Sequence, residues 1–277
     1  MMGDCITVAA IQMVSSDCVD DNLKVANRLI EEAVKEGAEL VVLPENFALM
    51  AKRSQQLLQM AETIGDGPIQ TFLSELSKRL GCWIVAGSLS TQSDEAERVY
   101  ATCFVYNDVG EQVSYYHKIH LFDADVADNK GRYRESDTFV AGKQVVSVDM
   151  PFGLMGLSIC YDLRFPELYR ELLQQGVSLL VAPSAFTEIT GRAHWSLLCR
   201  TRAVENTCYL IAANQGGLHS NGRATYGHSM IVDPWGEVLA EMDVREGYIL
   251  ASLKQSKLEE VRANLPAIRH RKLFKDE

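Results

Sequence analysis

The sequence lacks any apolar run long enough to cross a membrane, since no window of it approaches 18 consecutive apolar residues. Its start, MMGDCITVAAIQM, has no basic segment followed by a long apolar one, so we expect no signal peptide. With 19 Gly and 7 Pro in 277 residues, it is also too poor in both for a collagen-like or disordered chain. These absences predict a folded, cytoplasmic protein with no membrane partner.

Disulfide frameworks and cysteine-based zinc sites are equally unsupported. The seven cysteines are scattered singly and no C-x-x-C occurs, which is typical of a protein from a reducing compartment. Basic residues are scarce too: 27 Lys and Arg face 37 Asp and Glu, for a net charge of −10. The longest basic run, residues 269–272, is short and is followed by acidic residues. A negative surface repels phosphate backbones, so we expect no nucleic-acid partner.

The pattern of apolar residues predicts alternating strands and helices. Ile6–Met13 and Leu40–Leu43 are typical of buried strands, and residues 20–36 carry an apolar helical stripe that Asp20 or Asp21 could cap. Later in the chain, hairpins interleave with helices, which favours an α/β fold with mixed sheets. Further predicted elements include a helix from Pro68 to Gly81, a strand at 83–89, and a helix at 192–206. No linker or repeat is visible. We therefore expect one domain over residues 1–264 and a polar, basic tail at 265–277 that packs on a neighbouring copy.

Three polar side chains follow apolar strands, where open α/β sheets place their ligands. Glu45 follows the strand in L-V-V-L-P-E-N-F, Lys118 lies in Y-H-K-I-H, and Cys160 lies in S-I-C-Y-D-L-R-F-P-E. Each has an ordinary explanation as a loop carboxylate, a surface cation or a small buried residue. Cys160 stands apart from the other cysteines because it ends a strand shortly before a helix that begins with proline.

Taken together, the three segments resemble the catalytic segments of the carbon–nitrogen hydrolase (nitrilase) superfamily, in the same order along the chain. The resemblance extends through flanking motifs such as A-P-S-A-F-T and G-H-S-M-I-V-D-P-W-G, and covers about residues 5–253. The segments H-K-I-H-L-F-D and C-Y-D-L-R-F-P-E are most similar to those of the Nit branch. That branch includes the ω-amidases and the amidases of deaminated glutathione.

The resemblance implies a four-layer α-β-β-α sandwich whose helices pair into a homodimer or higher homo-oligomer. It implies no metal and no organic cofactor. Two histidines, His117 and His120, are spaced by three residues, but no third ligand is placed to complete a metal site with them. The implied partner is a small-molecule amide.

Thiol, ammonium and carboxyl groups together suit the hydrolysis of an unreactive amide. The resemblance implies Cys160 as nucleophile, Lys118 as the cation that lowers the thiol pKa and binds the oxyanion, and Glu45 as the group that accepts and returns protons. We expect the backbone N–H of Tyr161 to be a second oxyanion donor. Glu135 matches a second family glutamate, which lies between the lysine and the cysteine and positions substrate.

Three further residues are candidates for substrate binding. Arg164 could hold a substrate carboxylate in two hydrogen bonds, or it could form a salt bridge with Asp162 or Glu167. Phe186 and Thr187 follow the next strand and are candidates for the pocket wall.

The leading hypothesis is an amidase that acts on a small carboxylate-bearing amide, either deaminated glutathione or the ω-amide of a keto acid. An N-carbamoyl amidohydrolase or a nitrilase would use the same three residues on another electrophile. A non-catalytic scaffold with this fold is a hypothesis of a different class, and the presence of all three residues speaks against it.

Overall fold

The computed structural model of the protein describes residues 4–128 and 131–272. Within them, the fold consists of two large mixed sheets that face each other, with helices on both outer sides. The six α-helices are α1 (Val19–Lys35), α2 (Ser54–Gln59), α3 (Pro68–Leu80), α4 (Pro166–Gln174), α5 (Glu188–Asn206) and α6 (Gln255–Asn264). None of the helices in this part of the chain is both long and apolar enough to span a bilayer.

The first sheet has seven strands: β1 (Cys5–Gln12), β2 (Leu40–Val42), β3 (Trp83–Val85), β4 (Leu89–Gln92), β5 (Val99–Tyr106), β6 (Gln112–His117) and β17 (Gly247–Lys254). Strands β1, β2 and β3 run parallel, and β17 lies antiparallel to β1. Strands β3 and β4 pair with successive parts of β5, and β6 pairs antiparallel with β5.

The second sheet has six strands: β9 (Ser147–Met150), β10 (Gly153–Leu157), β11 (Leu179–Val181), β12 (Tyr209–Ala212), β15 (Met230–Val232) and β16 (Val238–Glu241). Its three central strands, β10 to β12, are parallel and the outer ones are antiparallel. Two small hairpins flank the sandwich, β7 (Asp123–Asp125) with β8 (Arg132–Arg134), and β13 (Gly216–Leu218) with β14 (Ala224–Tyr226).

The alternation of side chains along β2 separates two hydrophobic cores. Leu40 and Val42 point into the core between the two sheets, where they join residues of the second sheet such as Leu157 and Val181. Val41 points the other way, into a core shared with the buried face of α1, including Leu29. Both faces of the strand are therefore buried, which explains its continuous apolar sequence. This layering confirms the expected α-β-β-α sandwich.

Two of the expected elements differ in detail. The strand expected at 83–89 ends at Val85, and a second strand begins only at Leu89, because Gly87 has a φ of +47° and interrupts the extended backbone. The helix expected to begin at residue 192 begins at Glu188, because the Thr187 side chain accepts a hydrogen bond from the backbone N–H of Thr190.

The predicted cap of α1 is wrong, and the predicted packing of the tail is untested. Neither Asp20 nor Asp21 caps α1, since Cys18 holds that position and both acids lie in the first turn. The tail begins with a short 3₁₀-helix at Ala267–His270. Residues 273–277 of the expected tail lie outside the described residues, and its packing on a neighbouring copy stays a prediction.

Candidate active site

Lys118 follows the end of β6, and its side chain is 1% exposed. Its Nζ donates to Oε1 of Glu45 at 2.8 Å and to Oε1 and Oε2 of Glu135 at 3.0 and 2.8 Å. Burial opposes the charge on Lys118, but the carboxylates of Glu135 and Glu45 outweigh it and raise the pKa of the ammonium well above its usual range. The lysine is therefore a fixed cation between two carboxylates.

The carboxylates reach Lys118 from different parts of the chain. Glu45 lies in the turn after β2 and is 3% exposed. The side-chain amide of Gln215 donates to the backbone carbonyl of Glu45 at 3.0 Å and fixes this turn. Glu135 follows β8, and its Oε2 also accepts the backbone N–H of Phe122 at 2.7 Å. The Glu135 carboxylate is thus held by a backbone N–H as well as by the lysine, and the turn that carries Glu45 is held through its backbone.

Cys160 lies in a strained turn that begins a 3₁₀-helix at Cys160–Arg164. Its φ is +48°, in the left-handed region that non-glycine residues seldom occupy, and its backbone N–H donates to the carbonyl of Pro183 at 2.8 Å. The residue is 8% exposed and lines a pocket together with Glu45 and Glu135. The structure therefore brings together all three residues that the resemblance pointed to.

The electrostatic surroundings of Cys160 differ from those expected. Burial, reinforced by the Glu45 carboxylate, raises the pKa of the thiol well above its usual range, and Lys118 opposes this only in part. The pKa of the Cys160 thiol is thus raised, whereas the sequence predicted that Lys118 would lower it. The sulfur is therefore held as a thiol, and a nearby base has to take its proton before or during an attack.

The same pocket is lined by the other candidate residues, Tyr161, Arg164, Phe186 and Thr187. Arg164 forms neither of the salt bridges considered for it. Its guanidinium lies 3.3 Å from the ring Nδ1 of His194 and is stacked over the rings of Tyr161 and Phe186, at 5.7 and 5.4 Å from their centroids. Arg164 thus remains available to a ligand in the pocket.

Arg223 also lines this pocket, although no sequence motif predicted it. Arg223 precedes β14, lies over the ring of Tyr133 and donates to the carbonyl of Ala185. Its Nε is buried and has no hydrogen-bond partner within residues 4–128 and 131–272. No local motif announces this residue, because the β13–β14 hairpin brings it to the pocket from a distant part of the chain.

The two histidines next to Lys118 have separate structural partners. The ring of His117 bonds to Thr102 at 2.8 Å and stacks on Tyr100. The ring of His120 bonds to Asp162 at 2.7 Å and stacks on Phe165, with the ring centroids 3.7 Å apart. Each ring is thus engaged by different neighbours.

A model of the carbon–nitrogen hydrolase family matches residues 7–263 of this chain. The chain belongs to this family. A Synechocystis protein named deaminated glutathione amidase is 43% identical over 266 residues, covering 95% of this chain and 97% of that protein. The bovine protein of the same name is 37% identical, covering 96% of this chain and 81% of that protein.

Solved structures agree with this assignment. The Caenorhabditis elegans NitFhit protein superimposes with a TM-score of 0.92 at 36% identity, over 99% of this chain and 67% of that chain. Nit3 of Saccharomyces cerevisiae, described as a member of branch 10 of the nitrilase superfamily, gives a TM-score of 0.87 at 31% identity, over 99% of this chain and 97% of that chain. The resemblance inferred from the three sequence segments is confirmed.

Proposed function

We propose that this carbon–nitrogen hydrolase is an amidase that cleaves a small carboxylate-bearing amide through a thioester on Cys160. The observation that carries the proposal is the buried Lys118 ammonium between Glu45 and Glu135, beside the pocket in which Cys160 lies. This arrangement supplies a nucleophile, a proton acceptor and a fixed positive charge within one sheltered site.

The first chemical step is attack by sulfur on the amide carbon. Because the Cys160 thiol is held protonated, Glu45 takes its proton as the carbon–sulfur bond forms. Negative charge develops on the carbonyl oxygen, where the Lys118 ammonium and the backbone N–H of Tyr161 stabilise it. One such donor contributes about 2.7–4 kcal/mol in comparable sites.

The second half of the reaction releases both products. Glu45 gives its proton to the amide nitrogen, the carbon–nitrogen bond breaks, and the amine or ammonia leaves a thioester behind. Glu45 then takes a proton from water as the water oxygen attacks the thioester. The carbon–sulfur bond breaks, the acid departs, and the proton on Glu45 returns to the sulfur. Glu135 stays bonded to Lys118 and positions both the cation and the substrate.

The polar lining of the pocket supports a substrate that bears a carboxylate. Arg164 and the buried Nε of Arg223 are guanidinium donors beside Cys160, in a chain whose net charge is −10. Guanidinium groups bind carboxylates in two parallel hydrogen bonds. Phe186 and Thr187 supply the pocket wall.

A neighbouring groove favours an amide whose amine part extends beyond the catalytic pocket. Glu135 and Arg223 line both the groove and the pocket. Arg53 adds a positive charge to the groove, whereas Lys52 and Arg134, which also line it, are paired with Asp17 and Asp125. Asn46, which follows Glu45 in the sequence, also lines the groove. A departing amine that Glu45 protonates would therefore lie on the groove side of the catalytic pocket. This supports a substrate of the deaminated-glutathione type over one that releases only ammonia.

Turnover of matched substrates tests the proposal. The wild-type protein is expected to release amine from deaminated glutathione, to act more slowly on α-ketoglutaramate, and to release no carbon dioxide from N-carbamoyl amino acids. Cys160→Ala is expected to abolish turnover, while Cys199→Ala, a buried cysteine outside the pocket, keeps it. Carbon dioxide release at the higher rate would instead favour an N-carbamoyl amidohydrolase, and activity in Cys160→Ala would refute the mechanism.

We further propose that the protein is a single-domain, cytoplasmic homodimer. All seven cysteines are free, which suits a reducing compartment.

Leu197 and Val204 on the outer face of α5 are 67% and 44% exposed, and Trp235 in the adjacent β15–β16 turn is 59% exposed. An apolar surface of this kind fits a second copy of the chain. Leu197→Glu is expected to yield monomers in light scattering; an unchanged mass would exclude this surface.

A further inference from the structure

Asp162 lies two residues after Cys160, and its side chain is fully buried. Its Oδ2 accepts the hydroxyl of Tyr116 at 2.7 Å and the backbone N–H of Ile159 at 2.8 Å. Its Oδ1 accepts the backbone N–H of His120 at 3.1 Å and the ring Nδ1 of the same histidine at 2.7 Å. Four donors thus converge on a carboxylate that takes no part in the proposed chemistry.

The donors belong to the two segments that carry the reacting groups. One is the amide immediately before Cys160. The others come from Tyr116 and His120, which lie two residues before and two residues after Lys118. The Tyr116 hydroxyl also accepts the backbone N–H of Ile119 at 3.2 Å, so it fixes the segment on both sides of the lysine. The Asp162 side chain therefore joins the turn that carries Cys160 (the nucleophile turn) to the segment that carries Lys118 (the lysine segment).

The nucleophile turn has to be held in place. The φ of +48° at Cys160 is a conformation that persists only where the surroundings determine it. The bond from the Ile159 N–H to Asp162 fixes the peptide between Ser158 and Ile159, and the bond from the Cys160 N–H to Pro183 fixes the next peptide, which leads into Cys160. An error of about 1 Å in the position of a reacting group can cost roughly 100-fold in rate.

We propose that Asp162 is a positioning residue that sets the Cys160 sulfur against Lys118 by joining their two segments. Asparagine is a sharp probe of this role because its shape is nearly the same but one of its two acceptor oxygens is replaced by an NH₂ group. That NH₂ group would face two donors whose hydrogen bonds the Asp162 oxygen now accepts. The inference rests on the proposed function, since it assumes that Cys160 and Lys118 react together.

The first experiment compares Asp162→Asn with wild type in three measurements. We expect kcat to fall at least 30-fold while KM changes less than 3-fold, because the pocket wall is untouched. We also expect the rate at which iodoacetamide labels Cys160 to change at least 5-fold in either direction relative to wild type. Mass spectrometry of the peptide that contains Cys160 measures this rate. Folded protein with kcat within 3-fold of wild type and unchanged labelling would overturn the proposal.

A second pair of variants decides the matter if Asp162→Asn does not fold. Tyr116→Phe removes one donor to Asp162 and is expected to lower kcat 5- to 20-fold with unchanged KM. Tyr106→Phe is its matched control: this tyrosine is also buried, on β5, but its hydroxyl has no hydrogen-bond partner within the described residues. Equal kcat values for the two variants would overturn the proposal, whatever Asp162→Asn does.

The labelling experiment separates this inference from the proposed function. Labelling of Cys160 requires no substrate, so it reports the position of the sulfur even if the amide class is wrong. Altered labelling in Asp162→Asn together with no amidase activity in the wild type would defeat the proposed function alone. Normal labelling with a fully active Asp162→Asn enzyme would defeat the positioning role alone.

Discussion

The Nζ of Lys118 lies 2.8 Å from Oε1 of Glu45, and neither side chain is more than 4% exposed. A buried ion pair of this kind brings a large desolvation cost and is weak evidence for a stabilising role. Here the lysine is shared with Glu135, so Glu45 can gain and lose a proton while the cation keeps a partner. The pair is better explained by the reaction than by stability.

Glu45→Gln tests the proton-transfer role most directly. The amide keeps the size of the carboxyl but cannot accept the Cys160 proton, so we expect kcat to fall by about 10²–10⁴-fold. Because Glu135 still pairs with Lys118, we expect a loss of only about 1.5–3 kcal/mol in the free energy of unfolding. Steady-state kinetics and urea unfolding measure the two effects; kcat within 3-fold of wild type would exclude Glu45 as the base.

Lys118→Met is expected to behave differently from Glu45→Gln, since it leaves two carboxylates without their cation. Breaking a buried ion pair by removing one partner costs about 3–5 kcal/mol. We therefore expect a clear fall in thermal stability together with loss of turnover. Lys78→Met, at a basic position on α3 away from the pocket, is the control. A stable and active Lys118→Met protein would contradict the assigned role.

The sequence predicted which residues meet in the candidate site because three short segments carry them. Glu45, Lys118 and Cys160 each follow a strand, and strands leave a local signature in the pattern of apolar residues. Arg223 has no such signature, since it reaches the pocket only after the β13–β14 hairpin packs against distant residues. Asp162 was considered only as a partner of Arg164, because the two side chains that donate to it, Tyr116 and His120, lie more than 40 positions earlier in the chain.

The parts of the fold that depend on local patterns of apolar residues were also predictable, whereas those that depend on contacts between distant segments were not. Buried strands and amphipathic helices showed in the pattern, whereas the break between β3 and β4 did not. At that break Gly87 closely approaches the carbonyl of Pro44, a contact between the segments that follow β3 and β2. Likewise, the net pKa shift of Cys160 depends on burial, and neighbouring residue types alone do not reveal it.

Gly87→Ala should therefore affect both stability and activity. A Cβ at this position would lie 2.0 Å from the carbonyl oxygen of Pro44, which immediately precedes Glu45. We expect a loss of more than about 3 kcal/mol in unfolding free energy and a lower kcat, since strain alone costs about 1–3 kcal/mol. Gly81→Ala is the matched control, with φ +64° but open space around its Cβ. Equal losses in both variants would contradict the close-approach argument.

The two arginines of the pocket predict how affinity depends on substrate charge. Arg164→Gln and Arg223→Gln are each expected to raise KM at least 10-fold for a carboxylate-bearing amide. For the matching neutral amide, in which the carboxylate is replaced by a methyl ester, KM should change less than 3-fold. Arg192→Gln, an exposed position on α5, is the control. Equal effects on both substrates would show that the arginines shape the pocket without binding the carboxylate.

Acid sensitivity follows from His219, which is 3% exposed and bonds through its ring to Ser15 and Thr225. Burial lowers its pKa to about 4, from an ordinary 6.5, so the unfolded chain binds a proton that the folded chain does not between these values. Stability should therefore fall as pH decreases from 6.5 to 4, by up to about 1.4 kcal/mol per pH unit from this group. His219→Gln should reduce that slope in urea unfolding at several pH values, the remainder coming from His117, whose pKa burial also lowers to about 4. The exposed His270→Gln should leave the slope unchanged. Identical slopes in wild type and His219→Gln would show that other groups cause the acid sensitivity.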